Sequence, residues 1–179
     1  MSDLPALALS VRQPWAWAII HGGKVIENRS LGAIKAGKMD CRTICIHAAS
    51  HMKRDEYEWG VWRLGRHGAV CPRPDALVYG AIIGTVDVVD IVTESDSEWF
   101  GGKAGLVLEH PKAVKPIPAR GELGYFNWQR ADDFAAIKPW MTSWNAPNGD
   151  TGTIDMFGDT TPVFAEPPEK PFKTPKRNT

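Results

Sequence analysis

The chain has 179 residues, 43% hydrophobic and 23% charged, a composition that suits one compact globular domain and excludes wholesale disorder. Lys+Arg and Asp+Glu balance at 21 each, so attraction to a polyanion must come from local clustering of positive charge and not from a net field. The cysteines, Cys41, Cys45 and Cys71, are odd in number with no leader-like segment ahead of them; reduced thiols and a cytoplasmic protein are expected, and no apolar run approaches the roughly twenty residues of a membrane span.

Leu7 to Val11 reads as a short strand. Pro14 sits where the first turn of a helix tolerates a missing N–H, and that helix is predicted to run to about His21 and stop at Gly22-Gly23. On it Trp15 and Ile19 share one side while Trp17 and Ile20 are offset, so the two indoles cannot face the core equally. Lys24 to Arg29 is extended, and a polar, glycine-containing link follows. Thr43 to Ala48 reads as a strand, with Ile44, Ile46 and Ala48 on one face and Thr43, Cys45 and His47 on the other.

Ser50 is the expected N-cap of a helix over roughly Met52 to Arg66, whose Tyr57, Val61 and Leu64 recur at helical spacing. Cys71 to Asp75 holds two prolines and reads as a loop. Tyr79 to Val92 is the clearest β signal, with Gly84 expected at a bulge or barrel corner. Further strands are predicted at Ala104 to Glu109 and Val114 to Ile117, leading into Pro118 to Phe126. Short strands with one or two helices between them predict an α+β chain: a small, closed β-barrel with helices packed on its rim. The domain is expected over 1–138, followed by a docked irregular extension over 139–159 carrying Trp140, Met141, Trp144, Ile154, Met156 and Phe157. A flexible, disordered Pro- and Lys-rich tail over 160–179 completes the chain.

The densest charge lies beside the first helix, where Arg12, Lys24, Glu27 and Arg29 flank Trp15 and Trp17. Each charge must be solvated, paired or turned toward a ligand. Lys24 and Arg29 suit convergence on phosphate, a point charge beside a planar fork, and an indole offers a flat stacking face to a base. In a regular strand, Glu27 would fall on the face opposite Lys24, so a turn or bulge is needed to unite them. The plainer reading of the same charges is an ion-pair network that fixes the helix to the barrel. His47 is the histidine best placed for acid–base work. Asp87 and Asp90 either pair with Lys24 or Arg29 or mark the solvent face. The spacing of Cys41, Cys45, His47 and His51 matches no common zinc site, so no metal is expected, and no cofactor.

Leu9-Ser10-Val11-Arg12-Gln13-Pro14-Trp15, Gly23-Lys24-Val25-Ile26-Glu27-Asn28-Arg29, the strand Gly80 to Val92 and Arg120-Gly121-Glu122-Leu123-Gly124 together resemble an ASCH domain (activating signal cointegrator homology), of the PUA-like superfamily, over roughly residues 5 to 130. The resemblance implies a PUA-like β-barrel with a basic cleft beside the first helix that holds RNA or a nucleotide. Some relatives remove the acyl group of N4-acetylcytidine, and another cuts RNA. In the deacylating group a Lys-x-x-Thr pattern supplies a lysine and a threonine nucleophile; here Lys24 matches the lysine and Glu27 stands in place of the threonine.

The leading expectation is therefore an RNA- or nucleotide-binding domain in which Arg12, Lys24, Arg29 and Arg120 hold phosphate or base edges. Trp15 or Trp17 stacks, and Gly121 admits a ligand close to the backbone. The alternative is a hydrolase using the same cleft, either an endoribonuclease or an amidohydrolase of N4-acylated cytidine, with Lys24, Glu27 and His47 catalytic. A third reading is a protein-interaction module working through Trp140 to Trp144 and the tail.

Overall fold

The β-branched run after Tyr79 forms the spine of the sheet. It becomes β4 (Ala81–Val92), paired antiparallel with β3 (Thr43–Ala48) on one side and β5 (Ala104–Pro118) on the other. β3 runs parallel to β1 (Leu7–Val11), β1 antiparallel to β6 (Tyr125–Asn127), and β5 antiparallel to β2 (Ile26–Arg29). The result, in a computed structural model that describes residues 4–145, is one six-stranded sheet of order β2-β5-β4-β3-β1-β6. The α1 (Trp15–His21), α2 (Leu31–Ala36), α3 (Arg54–Arg66) and α4 (Pro139–Thr142) helices complete the described fold. Ile154, Met156, Phe157 and the expected tail lie outside the described residues.

The α+β class and the curled sheet with helices packed on it are as the sequence predicts, but closure is partial. Among the described residues β2 and β6 stand at the two ends of the sheet with no ladder between them. Only three residues form β6, and they pair with Leu7, Ala8 and Leu9 of β1. The predicted break within residues 109–114 does not occur; β5 is continuous. Register shifts around Gly84, Thr85/Asp87 and Val88/Asp90 take up the bend between β4 and β5.

Two local expectations are corrected. The link after Arg29 contains α2, where Ser30 Oγ accepts the Ala33 N–H at 3.1 Å and Ile34 alone is buried. One apolar anchor in six residues leaves no period to read. The cap of α3 is Lys53 and not Ser50: Glu56 Oε2 accepts the Lys53 N–H at 3.2 Å, and Arg12 holds that carboxylate in place.

α1 packs against β3, β4 and β5. Its Ala16, Ile19 and Ile20 join Val11, Ile44, Ile46, Val86 and Leu106 in the main core, where each fully buried aliphatic side chain contributes about 1.5–3 kcal/mol. Ile20 rests on Gly84, where a Cβ would come within 2.5 Å of its Cδ1. The other side of α1 meets Tyr57, Val61 and Leu64 of α3, a cluster that also takes in Met141 and Trp144. Gln13 is buried where α1 begins; its Oε1 accepts the Trp17 N–H at 2.9 Å and its Nε2 donates to the Val78 carbonyl at 2.8 Å. No helix among the described residues is long and apolar enough to cross a membrane.

Candidate functional site

The glycines that end α1 place Lys24. The N–H groups of Gly22 and Lys24 both return to the Ala18 carbonyl, at 2.9 and 3.0 Å, around Gly23 at φ 72°. From this turn Lys24 Nζ donates to the Ile26 carbonyl and to Glu27 Oε2, the latter at 2.9 Å. Lys24 precedes β2, so the alternation of a regular strand does not separate it from Glu27. Glu27 Oε1 lies 3.2 Å from Arg29 Nη2, which also donates to the Ser10 carbonyl at 2.8 Å.

Two cations thus share one carboxylate, and the Arg29 side chain spans from β2 to β1, linking parts of the sheet that no ladder joins. Lys24 and Glu27 are buried, at 5% and 8% exposure, while Arg29 is half-buried. Burial lowers the Lys24 pKa, and Glu27 opposes that shift. Only Nη2 of the Arg29 guanidinium is bonded among the described residues, and the buried Nε has no partner. An unmet buried donor costs about 1–3 kcal/mol.

Ser10 joins this network to the predicted histidine. Its Oγ lies 2.9 Å from His47 Nδ1, and His47 Nε2 lies 3.0 Å from the Ala119 carbonyl. A carbonyl only accepts, so Nε2 carries the proton and Nδ1 receives the Ser10 hydroxyl. Burial holds the His47 pKa below its ordinary value, with the bond to Ala119 acting the other way. The close approach at Gly121 is made by His47 itself: a Cβ there would meet His47 Cε1 at 2.5 Å and Ser10 Oγ at 2.8 Å. Arg120, next to it, is exposed.

Arg12 pairs with the buried Glu56 of α3. Trp15 and Trp17 are half-buried against the core, Trp15 in contact with both large clusters and Trp17 tilted on His21 at 5.8 Å between ring centroids. Asp87 bonds Thr43 and His110, and Asp90 caps the Ile91 N–H, so neither meets Lys24 or Arg29. Among the described residues no group of His, Cys, Asp and Glu is arranged to hold a metal ion.

A pocket of about 290 Å³ opens at the β2 edge, lined by Asn28, Arg29, Ser30, Gly102 and Lys103. Of the residues singled out from sequence it contains Arg29. A second pocket, about 310 Å³ and mostly apolar, is walled by Leu77, Tyr79, Pro116, Phe134 and Ile137 with Lys115 at its side, and holds none of them. Sequence reasoning overlooked Ser10 and Lys103. The signals available were a hydroxyl inside an apolar strand and the Gly101-Gly102-Lys103 run before β5.

No curated protein matches the chain. The crystal structure of a mutant form of the ZmASCH protein from Zymomonas mobilis is similar at 16% identity and a TM-score of 0.32, covering 76% of this chain and 91% of that one. A likeness that distant carries no argument about the site. The family model described as ASCH domain matches residues 9–139, a span running from β1 to the start of α4 and including Lys24, Glu27, Arg29 and His47, and the chain belongs to the ASCH domain family.

Proposed function

We propose that this ASCH domain binds RNA or a nucleotide at the β2 edge of its sheet, with Arg29 as the main contact. The observation that carries this reading is a guanidinium pinned through Nη2 by Glu27 and the Ser10 carbonyl on the wall of a 290 Å³ pocket, its buried Nε–H without an acceptor among the described residues. Lys24 and Glu27 act as positioning residues, since they fix the guanidinium from the buried side. Arg120, exposed beside Gly121, adds positive charge on the β1 side of the same network.

The hydrolase reading has less support. Lys24 Nζ is committed to Ile26 and Glu27, both His47 ring nitrogens are engaged within the protein, and a carboxylate occupies the position of the threonine. The interaction-module reading is weakened by Trp144, which is buried against Tyr57 and donates from Nε1 to Glu58 at 3.1 Å.

Fluorescence anisotropy with labelled single-stranded RNA tests the proposal. Binding at about 50 mM salt should weaken steeply by about 200 mM, as expected when counterions are released, and should be lost in Arg29→Gln. Absence of binding to any RNA or nucleotide at low salt refutes it.

A further inference from the structure

The geometry points to a phosphate subsite in the Arg29 pocket, completed by Lys103, that makes the domain prefer phosphorylated ligands, an RNA phosphodiester or a nucleoside monophosphate, over bare nucleosides. This rests on the RNA or nucleotide reading and names the part of the ligand that the pocket holds. The pocket is lined by two cations and no carboxylate. Glu27 neutralises one of Lys24 and Arg29, leaving that trio with a single net positive charge, and Lys103 brings a second to the pocket. A phosphate carrying one to two negative charges matches this balance, and an arginine fork beside a lysine suits its oxygens.

The loop that carries Lys103 is anchored to the strand that carries Arg29. Asn28 Nδ2 donates to the Trp99 carbonyl at 2.7 Å, and its Oδ1 accepts the Gly101 N–H at 2.9 Å. Packing explains neither glycine before Lys103: a Cβ at Gly101 would meet nothing within 4 Å, and one at Gly102 nothing nearer than 3.7 Å. Neither has a left-handed φ. What the missing side chain of Gly102 does provide is access to the backbone from the pocket that it lines. Ser30 Oγ accepts the Ala33 N–H, which leaves its own proton free to donate. At roughly 30 Å³ per water, the pocket has room for a phosphate and part of its ribose.

The test uses the full chain, the exposed-site variants Lys103→Ala and Lys103→Glu, and three probes: the common nucleosides, their 5′-monophosphates, and labelled single-stranded RNA. Monophosphates should shift the Arg29 Nε–H resonance, identified by its absence in Arg29→Lys, and nucleosides should not. Lys103→Glu should weaken phosphorylated probes by about tenfold, as loss of a charged contact predicts, and Lys103→Ala should lower the salt slope for RNA by about 0.7. An effect confined to monophosphates assigns the subsite to a free nucleotide, and one confined to RNA assigns it to the backbone. RNA and monophosphate binding that both keep their affinity in both Lys103 variants, with the RNA salt slope unchanged, overturn the subsite while the Arg29 reading stands. Nucleosides binding as tightly as monophosphates do the same. Failure of every probe in the unaltered protein overturns both.

Discussion

Replacing Glu27 by glutamine keeps the shape of the side chain and removes the one negative charge between Lys24 and Arg29. Lys24 Nζ lies 2.9 Å from that carboxylate and is almost fully buried, so its ammonium is left with the Ile26 carbonyl and a neutral amide. Breaking a buried pair from one side costs about 3–5 kcal/mol, a large part of the roughly 5–15 kcal/mol that holds a domain together. Lys24→Met should cost less, under about 2 kcal/mol, because Glu27 keeps Arg29 at 3.2 Å and a desolvated charge disappears. The pH dependence has a defined sign. With Glu27 gone, the influences left on Lys24 (burial, Arg29 and Arg63) all depress its pKa below the ordinary 10.5. Between the folded value and 10.5 the unfolded chain binds more protons, so stability rises with pH and the deficit of Glu27→Gln shrinks toward alkaline pH. Urea unfolding followed by tryptophan fluorescence from neutral to alkaline pH measures this. A cost below about 1 kcal/mol at neutral pH, or equal costs for the two variants at every pH, would show that the network is solvated and the reasoning wrong.

His47 should give the protein an acid-sensitive limb. Its folded pKa lies below the ordinary 6.5, so stability is full above that value and falls as pH drops toward the folded pKa, where the unfolded chain takes up a proton that the buried ring refuses. Unfolding curves of His47→Asn should be flatter over that range, and an unchanged slope counts against a buried neutral imidazole. Gly121→Ala should cost about 1–3 kcal/mol by driving a methyl into His47 and Ser10, read as a lowered urea midpoint with an unchanged slope. A variant as stable as the parent would place the loop farther from the ring.

Local pattern was enough for β1, α1, β3, α3 and β4, because an apolar period of two or 3.6 residues is written in consecutive positions. The end of α1 was equally legible, since Gly22 and Gly23 permit the turn that sets Lys24 above Glu27. Shorter elements left less to read: α2 buries one side chain, and β6 has three residues.

For the site, chain order alone brings a lysine, a carboxylate and an arginine within six consecutive residues after a glycine turn, and such charges pair or find a ligand because water-poor surroundings allow nothing else. Their partners are chosen by the folded arrangement. Arg12 turns to Glu56, 44 residues away, Ser10 meets His47, and Lys103 comes to the pocket of Arg29. Those meetings depend on how far the sheet curls, which is set by the register shifts along β4 and by Ile20 seated on Gly84. Curl is the sum of contacts between segments far apart in the chain, and no local period encodes it.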